Sequence, residues 1–120
     1  MPTTQAANFE AGRRFERELA THLRGEGYYV VKSPGSKGAV DMVAVKPGQI
    51  LFVQAKRNGV LRPAEWNGLY DLAAQFGAVP VLAERGFRQP LQLWQLTARK
   101  SGDRGRRQPM IVFRTDELAS

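Results

Sequence analysis

The chain has 120 residues and a mass of 13.4 kDa, room for one compact domain. It has no cysteine and one histidine, His22, which excludes disulfide scaffolds, thiolate zinc sites, cysteine nucleophiles and His-rich metal centres; any metal would be held by oxygen. Eighteen Lys and Arg against eleven Asp and Glu give a net charge of +7 and a pI near 10.4, a balance that points to a polyanionic partner, nucleic acid first.

Ala11, Phe15, Leu19 and Leu23 recur at helical spacing and predict a helix over residues 9–24, with Asn8 as its N-cap and Gly25 and Gly27 ending it. Residues 28–33 are an aromatic and β-branched run, hence a strand, and Ser33 to Gly38 form a loop by composition. Residues 40–45 and 50–56 are apolar strands joined through Lys46-Pro47-Gly48-Gln49. A second helix is predicted from about Pro63 to before Gly77, followed by two or three strands: 79–83, 91–97 and, as an open candidate for the last, 110–113. Residues 98–108 are a basic loop, with Arg99, Lys100, Arg104, Arg106 and Arg107 against one acid, Asp103. This order predicts a single domain over 1–120, of class α/β bordering on α+β. Its centre is a mixed sheet of about five strands flanked by helices. No apolar run approaches the roughly 20 residues of a membrane span. Met1 to Glu10 lack the pattern of a secretory signal, so the expected location is the cytoplasm, without membrane contact.

A hairpin centred between Pro47 and Gly48 pairs residues whose numbers sum to 95, which sets Asp41 opposite Gln54. Lys56 then shares a face with Gln54 and, nearer the turn, with Val43, Val45, Ile50 and Phe52. Val40, Met42, Ala44, Val53 and Ala55 make the other face wholly apolar. Pro-Gly favours a type II turn, which suits a two-residue hairpin poorly, so a longer loop is expected; a symmetric four-residue loop leaves the pairing sum unchanged, whereas a bulge would not. Strands buried on both faces do not take Asp and Lys without a reason. Two readings stand side by side: an ion pair at a sheet end, open to water, or a chemical site. On the first helix, Glu16 and Glu18 border the apolar stripe on opposite sides while Glu10 points away, and periodicity does not choose between the first two.

Four features together resemble the archaeal-type Holliday junction resolvases of the PD-(D/E)xK nuclease superfamily. They are Gly12-Arg13-Arg14-Phe15-Glu16-Arg17-Glu18-Leu19, the loop Ser33-Pro34-Gly35-Ser36-Lys37-Gly38, Val40-Asp41, and Gln54-Ala55-Lys56. The likeness continues through Gln75 to Ala83 and covers roughly residues 9–97. It implies a restriction-endonuclease-like core and a structure-selective endonuclease that cuts four-way DNA junctions. It also implies a divalent cation, Mg²⁺ or Mn²⁺, held by Asp41, Gln54, Glu16 and the Ala55 carbonyl, with Lys56 orienting or deprotonating the attacking water. Arg17, Lys32, Gly35, Ser36, Lys37 and Arg57 would contact DNA, and Leu72 and Phe76 would meet the second subunit of a homodimer.

One position departs from the family pattern. Gln54 stands where the family has Glu; its amide oxygen can ligate Mg²⁺ but brings no negative charge. The resemblance therefore leaves three readings: an active resolvase with weakened metal affinity, another DNA endonuclease on the same core, and a catalytically silent junction-binding protein.

Overall fold

A computed structural model describes residues 4–33, 38–57, 61–86, 88–101 and 108–115, with side chains from residue 10 onward. The elements are α1 (Thr4–Gly25), β1 (Tyr29–Lys32), β2 (Met42–Lys46), β3 (Gln49–Arg57), α2 (Pro63–Gln75), β4 (Val79–Arg85), β5 (Gln92–Leu96) and β6 (Met110–Val112). The strands form one six-stranded sheet in chain order, antiparallel at every junction except β3–β4, which is parallel and bridged by α2. The mixed sheet, α+β in character, was expected with about five strands; β6, three residues long at the edge, makes the sixth.

Side-chain alternation along the strands divides the core into two layers. Phe15, Leu19, Ala20 and Leu23 of α1 pack on Val30, Met42, Ala44, Leu51, Val53, Val81, Ala83 and Leu93. On the opposite face, Trp66 and Leu69 of α2 pack with Leu61, Leu82 and Leu96, and Phe52 and Trp94 close the layer. Among the described residues, no helix is long and apolar enough to cross a membrane.

Both helices end in the same device. Gly27 (φ 94°) and Gly77 (φ 64°) take the left-handed conformation that a side chain would strain. The next N–H then reaches back into the last turn, Tyr28 to the Leu23 carbonyl at 3.1 Å and Ala78 to the Ala73 carbonyl at 2.9 Å. Each helix thus turns directly into a strand. Pro80 is tolerated in β4 because pairing with β5 begins only at Val81.

Three local expectations are corrected. Asn8 lies inside α1, which starts at Thr4; Gln5-Ala6-Ala7 are good helix formers and carry the helix a turn earlier. The β2–β3 hairpin closes on two residues: Lys46 pairs with Gln49, and Gly48 at φ 79° supplies the positive φ that a turn led by Pro47 requires. The pairing sum of 95 holds for all five pairs from Met42↔Val53 to Lys46↔Gln49. It stops holding at Asp41. The Asp41 N–H donates at 2.8 Å to the carbonyl of Val53, which already pairs with Met42, so two residues face one as in a β-bulge. Val40, expected beside Met42, packs instead into the α2 layer.

Candidate active site

The bulge determines where the Asp41 carboxylate goes. The Asp41 carbonyl accepts from Ser33 N–H at 2.9 Å, its N–H is taken by Val53, and its Oδ2 accepts from the Ala55 N–H at 2.8 Å. The side chain thus replaces a backbone acceptor at the point where the β2–β3 ladder ends. Burial raises the Asp41 pKa above the ordinary carboxylate value; the Ala55 N–H and the positive charge of Lys56 pull the other way.

Glu16 approaches from α1. Its pKa is raised, first by burial and then by the negative charge of Asp41, with Lys32 and Arg13 opposing. Asp41 is therefore within electrostatic reach of both Glu16 and Lys56 at one end of the sheet. Beside Glu16 a polar cleft of about 370 Å³ opens between α1 and β1, lined by Glu10, Arg13, Glu16, Arg17 and Lys32. Glu18, the other acid bordering the apolar stripe, is ion-paired with Arg85 of β4 instead. The Arg85 guanidinium also lies 5.7 Å from the centre of the Phe15 ring, which ties α1 to the sheet.

Gln54 and Lys56 project from β3 on the α2 side. The Gln54 Oε1 is buried and has no hydrogen-bond partner among the described residues, an acceptor left with nothing to accept. The Lys56 Nζ lies 3.4 Å from Oε2 of Glu65, in the first turn of α2. The carboxylates of Asp41 and Glu16 are oxygen donors of the kind a divalent cation prefers, and the amide oxygen of Gln54 is a third such donor, on the α2 side of the sheet. The set is poor in charge, because among the described residues no three acidic or imidazole side chains group closely enough to hold a metal by themselves.

The other expected positions divide. Arg17 and Lys32 come together at the cleft. Arg57, exposed at the end of β3, pairs in register with Arg85 and does not line the cleft. Gly35, Ser36 and Lys37, and also Arg104, Arg106 and Arg107, lie outside the described residues. The two remaining members of the basic loop are occupied within the chain. Arg99 is ion-paired with Asp71, while Lys100 Nζ donates to the Leu61 carbonyl at 3.0 Å and to Gln108 Oε1 at 3.2 Å. Leu72 is half-buried, and Phe76, 63% exposed, stands with its ring 5.8 Å from that of Phe52.

Sequence reasoning missed Arg13 and Glu65. Arg13 carried a signal, since Glu10, Arg13 and Arg17 recur at helical i, i+3 and i+4 steps on one face. Glu65 carried none: its proximity to Lys56 depends on how α2 packs against β3.

The profile of the archaeal Holliday junction resolvase (Hjc) family matches residues 7–113. A Methanocaldococcus jannaschii protein named crossover junction endodeoxyribonuclease Hjc is 34% identical over 79 residues. That alignment takes in 62% of this chain and 59% of the relative, so the chain spans about three-fifths of the length of that protein. The fold is similar to that of Hjc from Archaeoglobus fulgidus, a Holliday junction resolvase from an archaeal hyperthermophile. The TM-score is 0.60 at 27% identity, covering 68% of this chain and 74% of the other. A match that runs from α1 to the end of the sheet places this chain in the archaeal Holliday junction resolvase family.

Proposed function

We propose that the protein is a homodimeric, Mg²⁺-dependent endonuclease that nicks four-way DNA junctions. The observation that carries this reading is Asp41 at a sheet end, within electrostatic reach of Glu16 on one side and Lys56 on the other, with Glu16 lining a cleft that holds three basic side chains, in a chain of this family. Arg13, Arg17 and Lys32 would hold the phosphate backbone of a junction arm; they carry no base-reading pattern, so recognition is of shape and backbone. Asp41, Glu16, the Gln54 amide oxygen and the Ala55 carbonyl would hold the cation, which supplies charge neutralisation at the phosphate and an acidified water. Lys56 would donate a hydrogen bond to the phosphate or the attacking water, orienting it for in-line displacement.

Support for the homodimer comes from an apolar patch on the α2 side of the sheet. Cross-strand pairing puts Tyr29 beside Val45 and Val45 beside Ile50, and these three are 74%, 37% and 37% exposed. With Phe52 and Phe76 they make a contiguous patch next to a groove of about 530 Å³ at the hairpin and Gly77. A C₂ pairing through this face would give two equivalent sites for two symmetric strands.

The test is cleavage of a labelled four-way junction and a matched linear duplex, each with Mg²⁺ and with chelator. Paired, metal-dependent nicks in the junction alone, lost in Asp41→Asn, support the reading. Cutting of flaps or plain duplex at equal rate would make it another endonuclease on the same core. Tight junction binding with no cut in Mg²⁺ or Mn²⁺ would favour the silent-binder reading, whose supporting observation is the charge-poor donor set around Gln54.

A further inference from the structure

Lys56 sits where the chemistry would be, and a lysine there needs a reason to hold one position. Its flexible stem loses much rotamer freedom when held in one geometry. Within the Gln54-Ala55-Lys56 stretch no carboxylate is present to fix it: the same-face neighbour two residues back is the neutral Gln54. Three acids from other elements face it. Asp41 is near enough to feel its charge, but its Oδ2 is held by the Ala55 N–H at 2.8 Å. Glu84 of β4 is paired with Lys56 in the parallel register, but its Oε1 accepts from the Trp94 indole N–H at 2.8 Å. Glu65 of α2 is directed at Lys56, with Oε2 3.4 Å from Nζ.

The position of Glu65 in its helix sharpens this. Pro63 occupies the first helical position, so Glu65 is the third, where an acid commonly reaches back to the N-cap backbone in a capping box. Here the N-cap is Arg62, which makes no side-chain cap, and the Glu65 carboxylate meets Lys56 on β3. Favouring the positive helix end by charge alone would not require that direction. The pair is part-exposed, at 33% and 41% for the two side chains, so its worth to stability is small, and its use lies in where it holds the ammonium.

We propose that Glu65 is a positioning residue of the site: from α2 it holds Lys56 in place, the task that a carboxylate at position 54 would otherwise perform. The inference rests on the nuclease reading above and deepens it. It also distinguishes Glu65 from a neutral bystander. A negative charge facing a phosphate chain weakens DNA binding, so removing it should tighten binding, while removing a positioning residue slows the chemical step.

The test compares wild type, Glu65→Gln, Gln54→Glu and the double variant in single-turnover cleavage of a labelled four-way junction at saturating Mg²⁺. Junction affinity is measured in Ca²⁺ and thermal unfolding without metal. Glu65→Gln should slow cleavage at least tenfold, with affinity equal or slightly tighter and the melting temperature within a few degrees of wild type. In the Gln54→Glu background the same substitution should cost less than about threefold, because position 54 then carries the acid. An unchanged rate in Glu65→Gln, or an equal loss in both backgrounds, overturns the proposal. Should the wild type bind the junction and cut nothing, the nuclease reading fails, and the ¹⁵N resonance of Lys56 Nζ decides the pair separately. A shift on Glu65→Gln larger than on Glu84→Gln upholds the positioning of Lys56 by Glu65, and no shift overturns it.

Discussion

Asn67 holds the backbone of Lys100 by both of its polar groups. Its Oδ1 accepts from the Lys100 N–H at 2.7 Å, and its Nδ2 donates to the Lys100 carbonyl at 3.1 Å. One turn of α2 thereby grips the segment that leads into the basic loop. The Trp66 indole adds a hydrogen bond to the Ala98 carbonyl at 2.8 Å, and the Lys100 ammonium lies 5.1 Å from the centre of the Trp66 ring. Asn67→Ala leaves two part-buried backbone groups without partners and should cost about 1–3 kcal/mol, read by urea unfolding.

The same arrangement separates two kinds of basic residue. Lys100 is committed to the Leu61 carbonyl and Gln108, so Lys100→Gln should lower stability and leave the salt dependence of junction binding unchanged. Replacing Arg104, Arg106 and Arg107 with Gln should flatten the log–log salt slope by about 0.9 for each phosphate no longer neutralised. A flatter slope in Lys100→Gln would return that residue to the DNA face.

Asp41 is held against its own ionisation by burial, which puts its folded pKa above the unfolded one. A raised carboxylate pKa means that the folded state binds the proton more tightly. Its contribution is fully present below the ordinary carboxylate pKa and is lost as pH rises through the raised value. In metal-free protein, Asp41→Asn should therefore raise the melting temperature by a few degrees at pH 7.5, a gain that disappears near pH 3. The amide oxygen of Asn can still accept from Ala55 N–H, so the bulge survives. The same variant should lose junction cleavage. Equal melting temperatures at pH 7.5 would show that Asp41 carries no such strain.

Gln54 brings a buried oxygen with no hydrogen-bond partner among the described residues, and no charge. Gln54→Glu should lower the Mg²⁺ concentration for half-maximal cleavage by about tenfold, since each added carboxylate strengthens binding of a hard cation. A Mg²⁺ titration that superimposes on wild type would remove Gln54 from the ligand set.

Phe76 is exposed next to Phe52, at the rim of the apolar patch. Phe76→Glu should convert the proposed dimer to monomer in sedimentation experiments while leaving far-UV circular dichroism intact, because the side chain contributes little to the monomer core. Paired nicks should become single ones. A dimer that persists in Phe76→Glu would move the interface elsewhere.

Much of this was legible from the chain. Pro47-Gly48 located the turn and with it the register of β2 and β3, and the Gly-terminated runs placed both helices. The face assignment failed at Asp41 because a bulge obeys the competition among hydrogen bonds at a ladder's end, which period-two alternation does not describe. The choice between Glu16 and Glu18 also needed three dimensions. Both border the apolar stripe, and only the position of Arg85 on a distant strand shows which one is drawn away. Glu65 belongs to the same class: packing of α2 brings it to Lys56, and no spacing along the chain announces it.

The parallel β3–β4 junction has a kinetic consequence. Asp41, Gln54 and Lys56 all belong to a hairpin that closes locally, whereas β4 can dock on β3 only after the α2 crossover has formed and loop entropy has been spent. During refolding, amides of the β2–β3 hairpin should gain protection from hydrogen exchange before those of β4. The chain would then carry a preformed half of its centre while the helix that bears Glu65 is still finding its place; simultaneous protection of both strands would refute that order.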